Sequence, residues 1–228
     1  MKSIYLVVLA LFLGIIAGML TNNLTVPTTG GTDQAYFHGI RGKDQVSLTI
    51  NVDWGGQYIP GMLDCFSNYG IKVTFFVTGK WAEKNPELLR KMGEEGHEIG
   101  NHGYNHLHPK KLSSNGLIDL IKKNEEVIEK ITGQTPHLFA PPYGEQDQRI
   151  VSIASSIGYK TIMWSADTID WQRPVPEIIE QRAVNKIDDG GIILMHPTAP
   201  SLKALPQIIS RIQERGFKFV KVSQLITP

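Results

Sequence analysis

The chain has 228 residues, 41% of them hydrophobic and 20% charged, a mix that excludes disorder, collagen-like repeats and a multi-span membrane protein. Its formal net charge of +1, with no basic run, leaves no electrostatic footprint for nucleic acid. A single cysteine, Cys65, excludes an internal disulfide and a four-cysteine zinc site, so any bound metal falls to His, Asp or Glu.

Behind Lys2, residues 4–20 form an uncharged apolar run. It is long for a signal-peptide core and just long enough to span a bilayer. No Ala-x-Ala cleavage site follows it. Residues 1–20 therefore read as a retained signal anchor or a cleaved signal peptide, with a buried core helix as the third reading. Lys2 ahead of the run keeps the N-terminus inside and sends the rest outward. The chain is expected outside the cytoplasm, anchored in the membrane or secreted if cleaved. Residues 21–45, rich in Thr, Asn, Gly and Pro, read as a flexible stem. Residues 46–228 are the domain proper.

From there strands and helices alternate. Residues 46–52 read as a strand and 58–69 as a helix stopped by Gly70. Residues 71–77, around Val-Thr-Phe-Phe-Val, read as a buried strand. Asn85-Pro86 supplies an N-cap and a first-turn proline for a helix reaching Glu95. A short strand at 98–101 precedes a long amphipathic helix at 115–132 that ends at Gly133. Further strands at 137–140, 160–164, 192–195 and 217–220 alternate with helices at 146–157, 176–188 and 204–215. Seven strands, most followed by a helix, predict a parallel sheet, open or wound into a barrel. Either way, the chemistry belongs at the C-terminal ends of the strands.

Those ends carry polar, metal-competent residues: Asn51 and Asp53, Asn101 and His102, Tyr143, Asp167 and Asp170, and His196. His102 and His106, four apart, put two imidazoles on one side of a turn. With Asp53 they would form a two-His, one-carboxylate set that leaves open positions for water and substrate. A pair of histidines at this spacing is otherwise ordinary surface. His97 precedes its strand, on the wrong rim, His108 lies two residues beyond His106 where it is expected to be solvated, His38 is in the stem, and His137 is set aside with them. None of the four is expected to ligate. His196, after Ile192-Ile193-Leu194-Met195, reads as a general acid for a leaving amine, oriented by Asp170 or Asp167. The bland alternative is an inert histidine at the core edge. Trp171 and Tyr143 suit packing, or the walls of a sugar site.

The blocks Leu48-Thr49-Ile50-Asn51-Val52-Asp53-Trp54-Gly55, Asn101-His102-Gly103-Tyr104-Asn105-His106, Ala140-Pro141-Pro142-Tyr143-Gly144, Asp167-Thr168-Ile169-Asp170-Trp171 and Leu194-Met195-His196 occur in this order. They resemble the five motifs of the polysaccharide deacetylases (NodB homology domain, carbohydrate esterase family four). Residues 74–106 resemble especially the sporulation-associated, membrane-anchored branch. The resemblance covers 46–225 and implies an irregular seven-stranded (β/α) barrel behind the anchor. It implies metal-dependent removal of acetyl from N-acetylated cell-wall glycan, peptidoglycan or chitin-like. The divalent metal would be zinc, or cobalt or nickel, on Asp53, His102 and His106. His196 would be the acid with Asp170 as its partner, and the Tyr143 backbone amide would bind the oxyanion. Tyr143, Trp171 and Asp167 would line the substrate site. Oligomeric state is not implied.

Two positions depart from the family pattern. The first motif of the family is Thr-Phe-Asp-Asp-Gly, whose first Asp is the base and whose second is a metal ligand. Aligning Leu48-Thr49-Ile50 with it puts Asn51 at the base position and leaves Asp53 as the ligand. The third motif is normally Arg-Pro-Pro-Tyr, with its Arg holding the base, and here that position is Ala140. The base and its ion-pair partner are thus missing together. An ungapped alternative makes Asp53 the base and Trp54 the lost ligand. The residues leave three functions open: a metal-dependent deacetylase impaired in its base, an inactive homologue that binds glycan or a wall-assembly partner, or a different metal hydrolase on the same fold.

Overall fold

The computed structural model describes residues 33–228. The apolar run at 4–20 and the first part of the stem lie outside the described residues. Among the described residues no helix is long and apolar enough to cross a membrane.

The strand β1 (Gln45–Val52) shows why the sheet is central. Val46, Leu48, Ile50 and Val52 are wholly buried on one face, and Ser47, Thr49 and Asn51 are buried on the other. A strand covered on both faces belongs inside a parallel sheet. It pairs in parallel with β2 (Thr74–Val77) on one side and β7 (Ile192–Met195) on the other. The sheet runs β5 (Lys160–Thr161), β4 (Leu138–Phe139), β3 (Glu98–Asn101), β2, β1, β7, β6 (Ala166–Asp167), a curled seven-strand path. An eighth strand, β8 (Lys218–Phe219), pairs with the start of β1. No pairing joins β5 to β6 among the described residues, so the barrel is irregular and open on that side.

Helices pack around the curl: α1 (Ile59–Asn68), α2 (Gly79–Lys84), α3 (Pro86–Glu94), α4 (Ser114–Thr132), α5 (Gln148–Ser156), α6 (Pro176–Lys186), α7 (Ala199–Glu214) and α8 (Val222–Leu225). The main core joins β1, β2 and β7 to α1, α3, α6 and α7 through Phe66, Phe75, Met195, Ile208 and their neighbours. Each such buried side chain stabilises the fold by about 1.5–3 kcal/mol relative to exposure.

Three sequence expectations change. The stem does not reach Gln45: Tyr36 N donates to Thr161 O, Met163 N donates to Tyr36 O, and Gly39 N donates to Gly190 O. Residues 36–40 thus tie the end of β5 to the turn before β7. Their own backbone hydrogen bonds hold them, and composition does not report that. The strand expected at 160–164 is cut to Lys160–Thr161, because Tyr36 takes the bridge position opposite Ile162, and the chain then leaves to form an additional strand, β6, beside β7. The helix expected from 204 starts at Ala199, where the Thr198 hydroxyl accepts from Ser201 N and Pro200 occupies the first turn.

Candidate active site

A cavity of about 450 Å³ opens at the C-terminal ends of the strands. Asn51, Asp53, His102, His106, Tyr143, Asp167, Trp171 and His196 all line it. These residues are scattered over 146 positions of sequence only because β1, β3, β4, β6 and β7 end at one rim. Asp170 stands behind His196, fully buried.

His102 leaves β3 straight into a pocket wall and is 2% exposed. Its Nδ1 lies 2.6 Å from Ala140 O. A carbonyl only accepts, so Nδ1 carries the proton and Nε2 presents a lone pair. Burial, reinforced by His106, pushes its pKa down to about 3, so the ring stays neutral. His106 sits at φ +50, a left-handed backbone that turns its ring toward His102, centroid to centroid 4.9 Å. Its pKa is lowered, chiefly by burial, and Asp53 pulls it back upward. Asp53 Oδ1 accepts from the Thr78 hydroxyl at 2.8 Å.

Among the described residues no three His, Cys, Asp or Glu side chains are gathered tightly enough to hold one ion as they stand. The donor chemistry nevertheless fits a divalent metal. Two neutral imidazoles, one with its lone-pair nitrogen fixed by a carbonyl behind it, share a cavity with a carboxylate.

Across the cavity, Asp170 fixes His196. The His196 Nδ1–H and backbone N–H donate to the two Asp170 oxygens at 2.8 and 2.7 Å. Ser201 Oγ donates to Asp170 Oδ2 at 2.6 Å. Of the two partners open in the sequence, Asp170 is therefore the one engaged. Asp167 Oδ1 instead accepts from Ile169 N and shapes the loop. The Trp54 ring lies parallel to His196, at 5° and 6.1 Å between centroids.

Tyr143 has a left-handed backbone, φ +59, in the Pro142–Gly144 turn, and its side chain is exposed at the rim. Its ring stacks on His108 at 3.8 Å and 9°. His108 is not merely solvated, as its position in sequence suggests: Nδ1 meets Glu145 Oε1 at 2.8 Å and the ring braces Tyr143. A Cβ on Gly144 (φ +65) would lie 2.6 Å from the Trp164 ring, so the close approach of that wall requires glycine. His97 is a core residue, its Nδ1 accepting from Val73 N among Phe66 and Phe75. Trp54, Trp164 and the His108–Glu145 pair are the site-shaping groups that sequence reasoning missed. Trp54 and Trp164 are tryptophans beside the polar blocks, but nothing local reports which way they face.

Asn51, at the expected base position, is 5% exposed, and its Oδ1 has no hydrogen-bond partner. Ala140, at the expected arginine position, packs in an apolar cluster with Phe76, Leu138 and Ile162. No cation reaches Asn51 from that position.

A curled parallel sheet with a His–His–Asp set on its rim, facing an Asp-braced histidine, is the architecture of the hydrolases that remove acyl groups from the amide nitrogen of glycans. The chain belongs to the polysaccharide deacetylase family, whose model matches residues 38–162. It is 38% identical to the uncharacterized protein YlxY of Bacillus subtilis over 83% of this chain and 60% of that protein. It is 34% identical to a peptidoglycan-N-acetylglucosamine deacetylase of Bacillus cereus, over 79% of this chain and 87% of that enzyme. Among solved structures, BA3943 of Bacillus anthracis, described as a CE4 family pseudoenzyme, matches with a TM-score of 0.84 and 38% identity, over 86% of this chain and 70% of that one. A BA3943 mutant described as having restored enzymatic activity matches equally well, with a TM-score of 0.84.

Proposed function

We propose that this chain takes N-acetylated cell-wall glycan into the cavity and hydrolyses its acetamide slowly, because the group at the base position is an amide. The observation that carries this reading is the cavity itself. Acid, imidazole pair and carboxylate share it, and Asn51 is buried where a carboxylate would act.

Asp53, His102 and His106 would hold a divalent metal, zinc in first place and cobalt or nickel otherwise. When bound, that ion polarises the acetamide carbonyl and makes water more acidic. His196, with Nδ1 held by Asp170, has Nε2 free to carry a proton to the departing sugar amine. The Tyr143 N–H would meet charge developing on the carbonyl oxygen. Trp171 and Tyr143, both exposed at the rim, would flank the sugar, with Asp167 beside them. Asn51 cannot take the proton of an attacking water. General-base assistance contributes about 10²–10⁴-fold, which sets the expected deficit. The apolar run behind Lys2 supports a place outside the cytoplasm, anchored to the membrane or secreted, where wall glycan is the substrate at hand.

The test is acetate release from N-acetylglucosamine oligomers and peptidoglycan, with metal content measured alongside. Slow, metal-stimulated release is expected, and His102→Ala should lose both the release and the bound metal. Equal release by wild type and His102→Ala would sink the reading. A second reading, binding without turnover, draws on the description of BA3943 as a pseudoenzyme. It expects no acetate at all and intact glycan binding.

A further inference from the structure

Asn51 lies on the cavity wall with its Oδ1 enclosed and unpartnered. With Oδ1 the enclosed atom, Nδ2 is left as the carboxamide's donor toward the cavity that Asn51 lines. A carboxylate at this position would only accept hydrogen bonds, whereas a carboxamide donates through Nδ2. The Asn51 carboxamide is neutral, and with Ala140 in an apolar cluster no cation accompanies it from that side.

We infer that Asn51 is a specificity-determining residue that reads the N-acetyl group: its Nδ2 donates to the acetamide carbonyl oxygen of the bound sugar. The inference deepens the glycan reading above and rests on it. With no ion bound, the two lone pairs of the acetyl oxygen can take this donor from β1 and a second from the Tyr143 turn. A de-N-acetylated sugar offers an ammonium in that place, a group with donors only. It gains nothing from Nδ2. The same cavity with a carboxylate at position 51 would attract the ammonium. The substitution at Asn51 therefore changes what the cavity retains as well as how fast it turns over. It favours the acetylated glycan over the free amine.

Calorimetric titration of the full chain, stripped of metal by chelation so that no turnover competes, with the tetramer of N-acetylglucosamine and with the same tetramer fully de-N-acetylated tests this. A neutral hydrogen bond corresponds to about three- to tenfold in affinity. Wild type is expected to prefer the acetylated tetramer. Asn51→Ala should weaken that tetramer by such a factor and leave the amine tetramer unchanged. The near-isosteric Asn51→Leu should do the same if Asn51→Ala is poorly folded, and Asn51→Asp should invert the preference. If Asn51→Ala or Asn51→Leu leaves the ratio of the two affinities unchanged, the inference fails and the glycan reading stands. If wild type binds neither tetramer, the reading of the cavity as a glycan site fails, and the inference falls with it.

Discussion

Single residues set the electrostatics of this molecule, and His97 offers a clean measurement. Burial pushes its pKa down to about 4, with Lys72 and Lys221 adding to the effect. In the unfolded chain a histidine titrates near its ordinary value of about 6.5. Between these values the unfolded state binds more protons, so the stabilising effect is complete above about pH 6.5 and is lost as pH falls toward 4. His102, pushed down to about 3, acts in the same direction. Urea midpoints are expected to drop across this window, and His97→Gln should flatten part of the slope. A slope identical in wild type and variant would refute the assignment. The gathering of Asp53, His102, His106 and His196 at one rim was legible in the sequence because their segments follow strand ends. The His108–Glu145 brace on Tyr143 was not, since it joins residues 37 apart through a contact no local pattern encodes.

At the scale of elements, caps do double service near the site. Thr198 caps α7 by accepting from Ser201 N, and Ser201 Oγ in turn donates to Asp170. Thr198→Ala is expected to cost about 1 kcal/mol of stability, read as a lower urea midpoint with an unchanged slope. No loss would mean that the α7 N-terminus is held by its packing alone. The long helix α4 was legible from its 3.6-residue period and its stop at Gly133, which takes φ +72. The short strand β6 was not. It has two residues and no period to read, and its separation from β5 goes with Tyr36, a residue more than a hundred positions away. The short α2 was missed as well, being six residues without a side-chain cap.

For the whole molecule, the curl of the sheet converts strand order into a site, and residues 36–40 fasten its open side. Tyr36 and Gly39 together link β5 and the turn before β7. Removing residues 33–40 is expected to lower the melting temperature by about 2–4 °C for each kcal/mol lost. An unchanged melting temperature would show that the segment merely rests on the barrel. The domain's parallel architecture was legible from the alternation of strand and helix. The attachment of its N-terminal segment was not, because a Thr-, Asn- and Gly-rich stretch looks the same whether free or docked.

In the function we propose, two linked replacements, Asn51 and Ala140, slow an otherwise complete cavity. The most direct measurement is acetate release from N-acetylglucosamine oligomers by the double variant Asn51→Asp/Ala140→Arg beside wild type, at equal metal loading. A gain of about 10²–10⁴-fold is predicted, the range that a general base supplies. A folded, metal-loaded double variant no faster than wild type would contradict the account.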